Sequence, residues 1–164
     1  MKTIIFLTIL VSTNAIYAQT ILPKYNREYA SGITIDSVLY ICYNKMVWHR
    51  EARLDCANVG GRLFRPKSLT NERMVAIYCD FAEFWLGIRR GTHPELFTNE
   101  QMPCDDDDEW SVDAYTNWAT SEPNNLHGHE NCISVRFDGY KTKWNDVSCK
   151  ETSYSRRMKF VCEI

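Results

Sequence analysis

The chain has no Asn-x-Ser/Thr sequon and no Cys-x-x-Cys pair, and past its first residues no apolar run approaches the length of a membrane span. These absences argue against N-glycosylation, against a zinc ribbon or dithiol redox motif, and against a spanning helix in the body of the protein. A glycine-rich phosphate loop, a nucleophile elbow and a carboxylate pair with an evident catalytic role are also missing, so the chain does not read as an enzyme. Strong charge of either sign is lacking too. A formal net charge of -2 gives no reason to expect a polyanion such as nucleic acid as partner. There is no internal repeat. What is present is a chain of 164 residues with 45% apolar and 13% aromatic content, enough for one packed domain and too short for two of ordinary size.

The first residues are distinctive. Met1-Lys2-Thr3 precedes the apolar run Ile4–Val11, and small and polar residues follow to Ala18. A basic start, a short apolar core and a small residue before Gln19 describe a secretory signal peptide over residues 1–18, cleaved after Ala18 or, alternatively, after Ala15. The run falls well short of the roughly 20 residues a membrane-spanning helix needs. The expected mature protein is secreted and extracellular, so the seven cysteines are disulfide candidates rather than metal ligands or catalytic thiols. Seven is odd: one thiol is free or bonded to another chain.

Residues 19–35 read as a polar lead-in to a domain over 36–164. Ile33–Tyr43 is rich in β-branched and aromatic residues and predicts a first strand. Between Met46 and Asn58, Trp48, Ala52 and Cys56 recur every fourth residue before Gly60-Gly61, which predicts a helix and its stop. A second helix starts near Ser68 or Thr70, and its expected buried stripe is Met74, Val75, Tyr78, Cys79 and Ala82. Phe84-Trp85-Leu86-Gly87-Ile88 reads as a fully buried strand. From about Arg89 to Glu130 neither periodicity persists, the mark of a functional loop region. Strands resume at Cys132–Phe137, near Lys143–Trp144 and at Met158–Glu163. The acidic run Asp105–Asp108 with Glu109 reads as a solvated tip rather than a second cation site.

Within the irregular stretch, residues 121–132 hold two glutamates, three asparagines, two histidines, a proline and a glycine. That is a loop, and its side-chain oxygens need a purpose. Calcium takes 6–8 hard oxygen ligands, amide oxygens among them. Glu122, Asn124 and Glu130, with Asn145 and Asp146 downstream, offer such a set; a hydrated polar loop is the alternative. His127-x-His129 with Glu130 does not make a zinc site, because no third ligand stands at suitable spacing.

The ordered marks Trp85-Leu86-Gly87-Ile88, Tyr115-Thr116-Asn117-Trp118, Glu122-Pro123-Asn124, Glu130-Asn131-Cys132, Trp144-Asn145-Asp146 with Cys149, and Phe160-Val161-Cys162-Glu163 resemble those of the C-type lectin-like domain. Trp48, Ala52 and Cys56 followed by Gly60-Gly61-Arg62-Leu63 also fit. The resemblance covers roughly residues 36–164 and implies an α+β fold. It implies two helices, a small antiparallel sheet joining the termini, and a long calcium-binding loop region with a second sheet. It further implies the disulfides Cys56–Cys162 and Cys132–Cys149. Of the remaining cysteines, Cys79 and Cys104 are the expected third bridge. Cys42 is then the unpaired thiol and the candidate link in a homodimer or higher oligomer.

The resemblance also implies a function, that of a calcium-dependent lectin. Calcium would be held by Glu122, Asn124, Glu130, Asn145 and Asp146, and the same residues would contact the sugar. A cis peptide before Pro123 would turn the flanking oxygens to one side. In the family, Glu before Asn goes with mannose, glucose, N-acetylglucosamine and fucose, whereas Gln and Asp in those positions go with galactose. The order is a preference, since some Glu-Pro-Asn relatives bind galactose. Leu126 and His127 either pack on the sugar ring or face solvent. Asn125 and Asn131 could serve a second calcium site, but Arg89-Arg90 places cations where acidic ligands would be wanted. The implied partner is a glycan or glycoprotein, such as a microbial surface carries. A relative that binds a non-sugar protein or lipid ligand is the competing reading, and such relatives commonly lose the ligand residues that are all present here.

Overall fold

Along the central strands, successive side chains enter two different cores. The computed structural model describes residues 30–90, 97–99, 115–149 and 156–164. The predicted signal peptide, the acidic run Asp105–Asp108 with Glu109, and Cys104 lie outside the described residues. The elements are β1 (Ala30–Ile35), β2 (Val38–Val47), α1 (His49–Asn58), β3 (Arg62–Leu63), α2 (Leu69–Cys79), β4 (Glu83–Arg90), β5 (Phe97–Asn99), β6 (Glu130–Phe137), β7 (Thr142–Ser148) and β8 (Met158–Glu163). In β2, Tyr40 and Cys42 join one buried cluster while Ile41 and Tyr43 join the other. In β4, Phe84 and Leu86 alternate with Trp85 in the same way. A strand buried on both faces has no polar side to show, so these segments read as continuous apolar runs.

The first cluster receives Val75, Ala76 and Cys79 of α2; the second receives Ala52 and Cys56 of α1. The helices therefore pack against different cores of one sheet, whose order is β1-β2-β8-β4-β6-β7, with β3 on β8 and β5 on β4. Two separate antiparallel sheets were expected. The described strands instead form a single mixed sheet, because a short parallel pairing of β4 with β8 (Phe84 with Lys159, Trp85 with Phe160) joins the two halves. Gly87 permits the close approach of β3 to β4: a Cβ there would stand 2.3 Å from the Leu63 carbonyl oxygen.

Several element expectations need correction. Ile33–Tyr43 is not one strand but most of the β1–β2 hairpin, reversed at Asp36-Ser37, both with positive φ (49° and 66°). Asp-Ser lacks the glycine that usually announces such a turn. β1 occupies the end of the stretch read as lead-in. The first helix begins only at His49, where the Trp48 N–H donates to Glu51 Oε2 at 2.9 Å. The second is capped by Ser68, whose Oγ accepts from the Asn71 N–H at 3.1 Å, and ends at Asp80 in the left-handed region. Its buried stripe is Glu72, Val75, Ala76 and Cys79, while Met74 and Tyr78 are exposed. Ala82 lies beyond the helix and is exposed.

Cys56–Cys162 and Cys132–Cys149 are bonded as the resemblance implied. The third bridge is Cys42–Cys79, not Cys79–Cys104. Both residues belong to the first cluster, where α2 lays its last turn over β2 with a Cα–Cα distance of 5.5 Å. Cys42 is therefore not the odd thiol.

Candidate functional site

The site is assembled from a strand and the segments that close over it. Trp144 at the centre of β7 is 1% exposed, and the Trp118 and Tyr115 rings meet it edge-on with centroids 5.5 and 5.6 Å away. The backbone continues this contact. The Trp144 N–H donates to the Asn117 carbonyl at 2.8 Å and the Ala119 N–H to the Trp144 carbonyl at 2.9 Å, so residues 117–119 run beside β7. The chain then turns through Ser121, with φ 68°, and the Glu122–Pro123 peptide is cis.

From Glu122 to Glu130 most of the hydrogen bonds among the described residues end on side-chain oxygens, as they must where no strand neighbour is at hand. Asp146, fully buried, accepts from the Asn124 N–H at 3.0 Å on Oδ1 and from the Asn125 N–H at 2.8 Å on Oδ2. Glu122 accepts from the Asn124 N–H at 3.2 Å and from Asn124 Nδ2 at 3.1 Å. Leu126 N–H donates to Asn124 Oδ1 at 2.9 Å and to Glu130 Oε2 at 2.7 Å. Asn125 Oδ1 accepts from the Glu130 N–H at 3.2 Å. Asn125 and His127 adopt positive φ (47° and 58°), and Gly128 (72°) completes the bend.

Four of the five expected ligand residues, Glu122, Asn124, Glu130 and Asp146, are thus linked in one hydrogen-bonded network. The fifth, Asn145, is half-buried next to Asp146 on β7, opposite Ser134, and its side chain has no hydrogen-bond partner among the described residues. The Glu122 carboxyl is raised above the ordinary carboxylate range. Burial is the largest cause, followed by hydrogen bonding and repulsion from Asp146, with Glu130 adding to it and the Asn124 N–H opposing it.

This donor set is oxygen only, three carboxylates and two amides, which suits a hard divalent cation and not a thiophilic one. Among the described residues no three His, Cys, Asp or Glu side chains form a metal-holding group by themselves, so a cation here would draw on the asparagine amides. Leu126 and His127 are exposed at the tip of the bend. Asn125, considered for a second cation site, already uses its Oδ1 within the loop.

Sequence reading missed Glu72. It is fully buried, yet its carboxylate accepts from Trp144 Nε1 at 2.6 Å and from Asn117 Nδ2 at 2.9 Å. The available signal was its spacing, since it stands three, four and seven residues before Val75, Ala76 and Cys79 on the buried stripe.

Human Collectin-10 is 30% identical over 149 residues, which cover 85% of this chain and 47% of that protein. The chain spans about half the length of the curated relatives it matches. Among solved structures, the cow C-type carbohydrate-recognition domain of CD23 superposes with a TM-score of 0.63 at 24% identity, covering 81% of this chain and 92% of the other. The human Scavenger Receptor C-type Lectin carbohydrate-recognition domain gives 0.64 at 20% identity, covering 81% and 95%. Residues 44–164 match the family described as the Lectin C-type domain, and the chain belongs to that family.

Proposed function

We propose that this protein is a secreted, calcium-dependent lectin whose calcium is held by Glu122, Asn124, Glu130, Asn145 and Asp146. The reading rests above all on the network that ties four of those residues together around the buried Asp146. The cow CD23 domain was solved in the presence of a GlcNAc2Man3 oligosaccharide and the murine dendritic cell inhibitory receptor 2 domain in complex with an N-glycan, which supports a glycan as the ligand class.

Bound calcium would supply a hard Lewis-acid centre for two neighbouring sugar hydroxyls. The chain's own residues do the rest. Glu122 and Glu130 accept hydrogen bonds from those hydroxyls, and the amide groups of Asn124 and Asn145 donate to them. Charge-assisted bonds of this kind are the stronger sort. The Glu122-Pro123-Asn124 order favours mannose, glucose, N-acetylglucosamine and fucose over galactose. Leu126 and His127 are exposed beside the network, which supports a contact with the sugar ring.

The expected metal affinity is on the order of 10⁻⁴–10⁻³ M, as for other extracellular modules. A calorimetric calcium titration followed by a glycan array with and without chelator tests the proposal. Glycan retention that is unchanged in excess EDTA would sink it.

A further inference from the structure

The Glu72 carboxylate is an unusual thing to bury. An apolar side chain of similar size would fill the same space without a desolvation cost, and such replacements in protein interiors are often neutral or better. Its location offsets part of that cost. Glu72 lies in the first turn of α2, where the helix dipole favours negative charge, and its N–H donates to the Ser68 carbonyl at 3.0 Å. The two oxygens then take one donor each, Trp144 Nε1 on Oε2 and Asn117 Nδ2 on Oε1.

Those donors belong to the two arms of the candidate site. Trp144 immediately precedes Asn145 and Asp146. Asn117 begins the segment that leads to Glu122 and Asn124. Asn117 is itself fastened to β7, because its Nδ2 also reaches the Thr142 carbonyl at 2.7 Å and its Oδ1 accepts from Lys143 Nζ at 2.9 Å. Glu72 therefore closes a ring through α2, residues 115–119 and β7.

We propose that Glu72, which touches none of the candidate ligands, is a positioning residue that holds β7 and residues 115–119 in the register that brings Asp146 to Asn124 and Asn125. The link to calcium rests on the function proposed above; the register itself does not.

Glu72→Gln is the informative variant. It is nearly isosteric, but its NH2 group would face an N–H donor, so one of the two bonds is lost. The control is Asn71→Ala, which removes a buried bond from Asn71 Nδ2 to the Tyr40 hydroxyl (3.0 Å) on the same helix. Calcium affinity, thermal midpoint in chelator, and hydrogen exchange at the Asn124 and Asn125 amides are measured on the full mature chain. For Glu72→Gln the expected result is calcium affinity weakened about tenfold, faster exchange at both amides without calcium, and unchanged sugar affinity at saturating calcium. Asn71→Ala should lower the midpoint and do neither of the other things. The proposal is overturned if Glu72→Gln behaves like Asn71→Ala, with exchange at Asn124 and Asn125 unaltered. If the wild type binds no calcium, the lectin reading fails and amide exchange still decides the role of Glu72. Should Glu72→Gln not fold, Asn117→Ala removes the same clamp from the other side, and the same exchange criterion applies.

Discussion

Asp146 accepts the backbone N–H of Asn125 at 2.8 Å while itself fully buried, so a residue of the candidate metal site is also the anchor of the loop beside it. Asp146→Ala should therefore do two things. It should abolish calcium-dependent retention on a mannose-type resin, and it should leave the Asn125 N–H without its acceptor, at about 1–3 kcal/mol where buried, while the Asn124 N–H keeps its bond to Glu122 Oε2. Asn145→Ala separates the effects, because the Asn145 side chain has no partner among the described residues. It should lose retention with its unfolding midpoint in chelator unchanged. Resin chromatography beside denaturant unfolding checks both.

Exchanging Glu122→Gln together with Asn124→Asp should move preference from mannose toward galactose. The bond from Asn124 Nδ2 to Glu122 Oε1, 3.1 Å long, would reverse its direction in the double variant and so keep the loop together. Each bound hydroxyl would meet a donor where it had an acceptor, a mismatch of about 1–3 kcal/mol or roughly tenfold in affinity. Competition by free mannose and free galactose against an immobilised glycoprotein provides the measurement. Identical rankings for both proteins would place selectivity in Leu126 and His127 instead.

Acid should destabilise the fold through His49. Burial lowers its pKa to about 4, with the charges of Arg53 and Arg89 lowering it further and the bond from Nε2 to the Leu86 carbonyl at 2.9 Å acting the other way. The folded state thus binds fewer protons than the unfolded chain between pH 6.5 and 4. Stability is full above that window and falls as pH drops through it, by up to about 3 kcal/mol. His49→Gln should flatten this part of the profile, as read by urea unfolding at a series of pH values.

Gly87→Ala should destabilise by about 1–3 kcal/mol, because the new methyl group would meet backbone of β3 rather than a flexible side chain. A lowered urea midpoint is the expected reading, and an unchanged one would mean that β3 can move away.

Non-reducing peptide mapping should recover Cys42 joined to Cys79, so Cys42 cannot link two chains. Replacing the pair by alanine should cost roughly 3–4 kcal/mol in the chain-entropy model for a loop of this length. A covalent dimer, if the native protein forms one, should survive that replacement on a non-reducing gel and should fail with Cys104→Ser. Loss of the dimer on changing Cys42 would contradict the pairing seen here.

How much of this was legible in the sequence depended on how locally it was encoded. Met158–Glu163 was found to the residue, and Trp85 to Ile88 announced a buried strand, because apolar runs record burial directly. Ser68, one of the two caps considered with Thr70, starts its helix by the chemistry of its side chain. One miss was local, because Asp36-Ser37 reverses the chain without a glycine; the other large ones were set by tertiary partners. Whether Cys79 meets Cys42 or Cys104 depends on where α2 lies over β2. Met74 and Tyr78 look like core residues until the buried stripe is seen to pass through Glu72 instead. Of the candidate site, the side-chain types could be read off directly, since oxygen donors in an irregular stretch are conspicuous. The means of holding them in place could not, since Glu72 and Asn117 act across 45 residues of chain.

The network around Asp146 has a further consequence, for inheritance rather than for binding. Because the same atoms shape the loop and would face the ligand, few single replacements in it can alter one property alone. Asp146→Ala is expected to fail on both counts, whereas acid–amide exchanges at Glu122 and Asn124 keep an oxygen at each position. On the function proposed above, a lineage carrying this loop would drift between sugars through a narrow corridor of Glu/Gln and Asn/Asp steps, while the exposed Leu126 and His127 would vary with little effect on the frame.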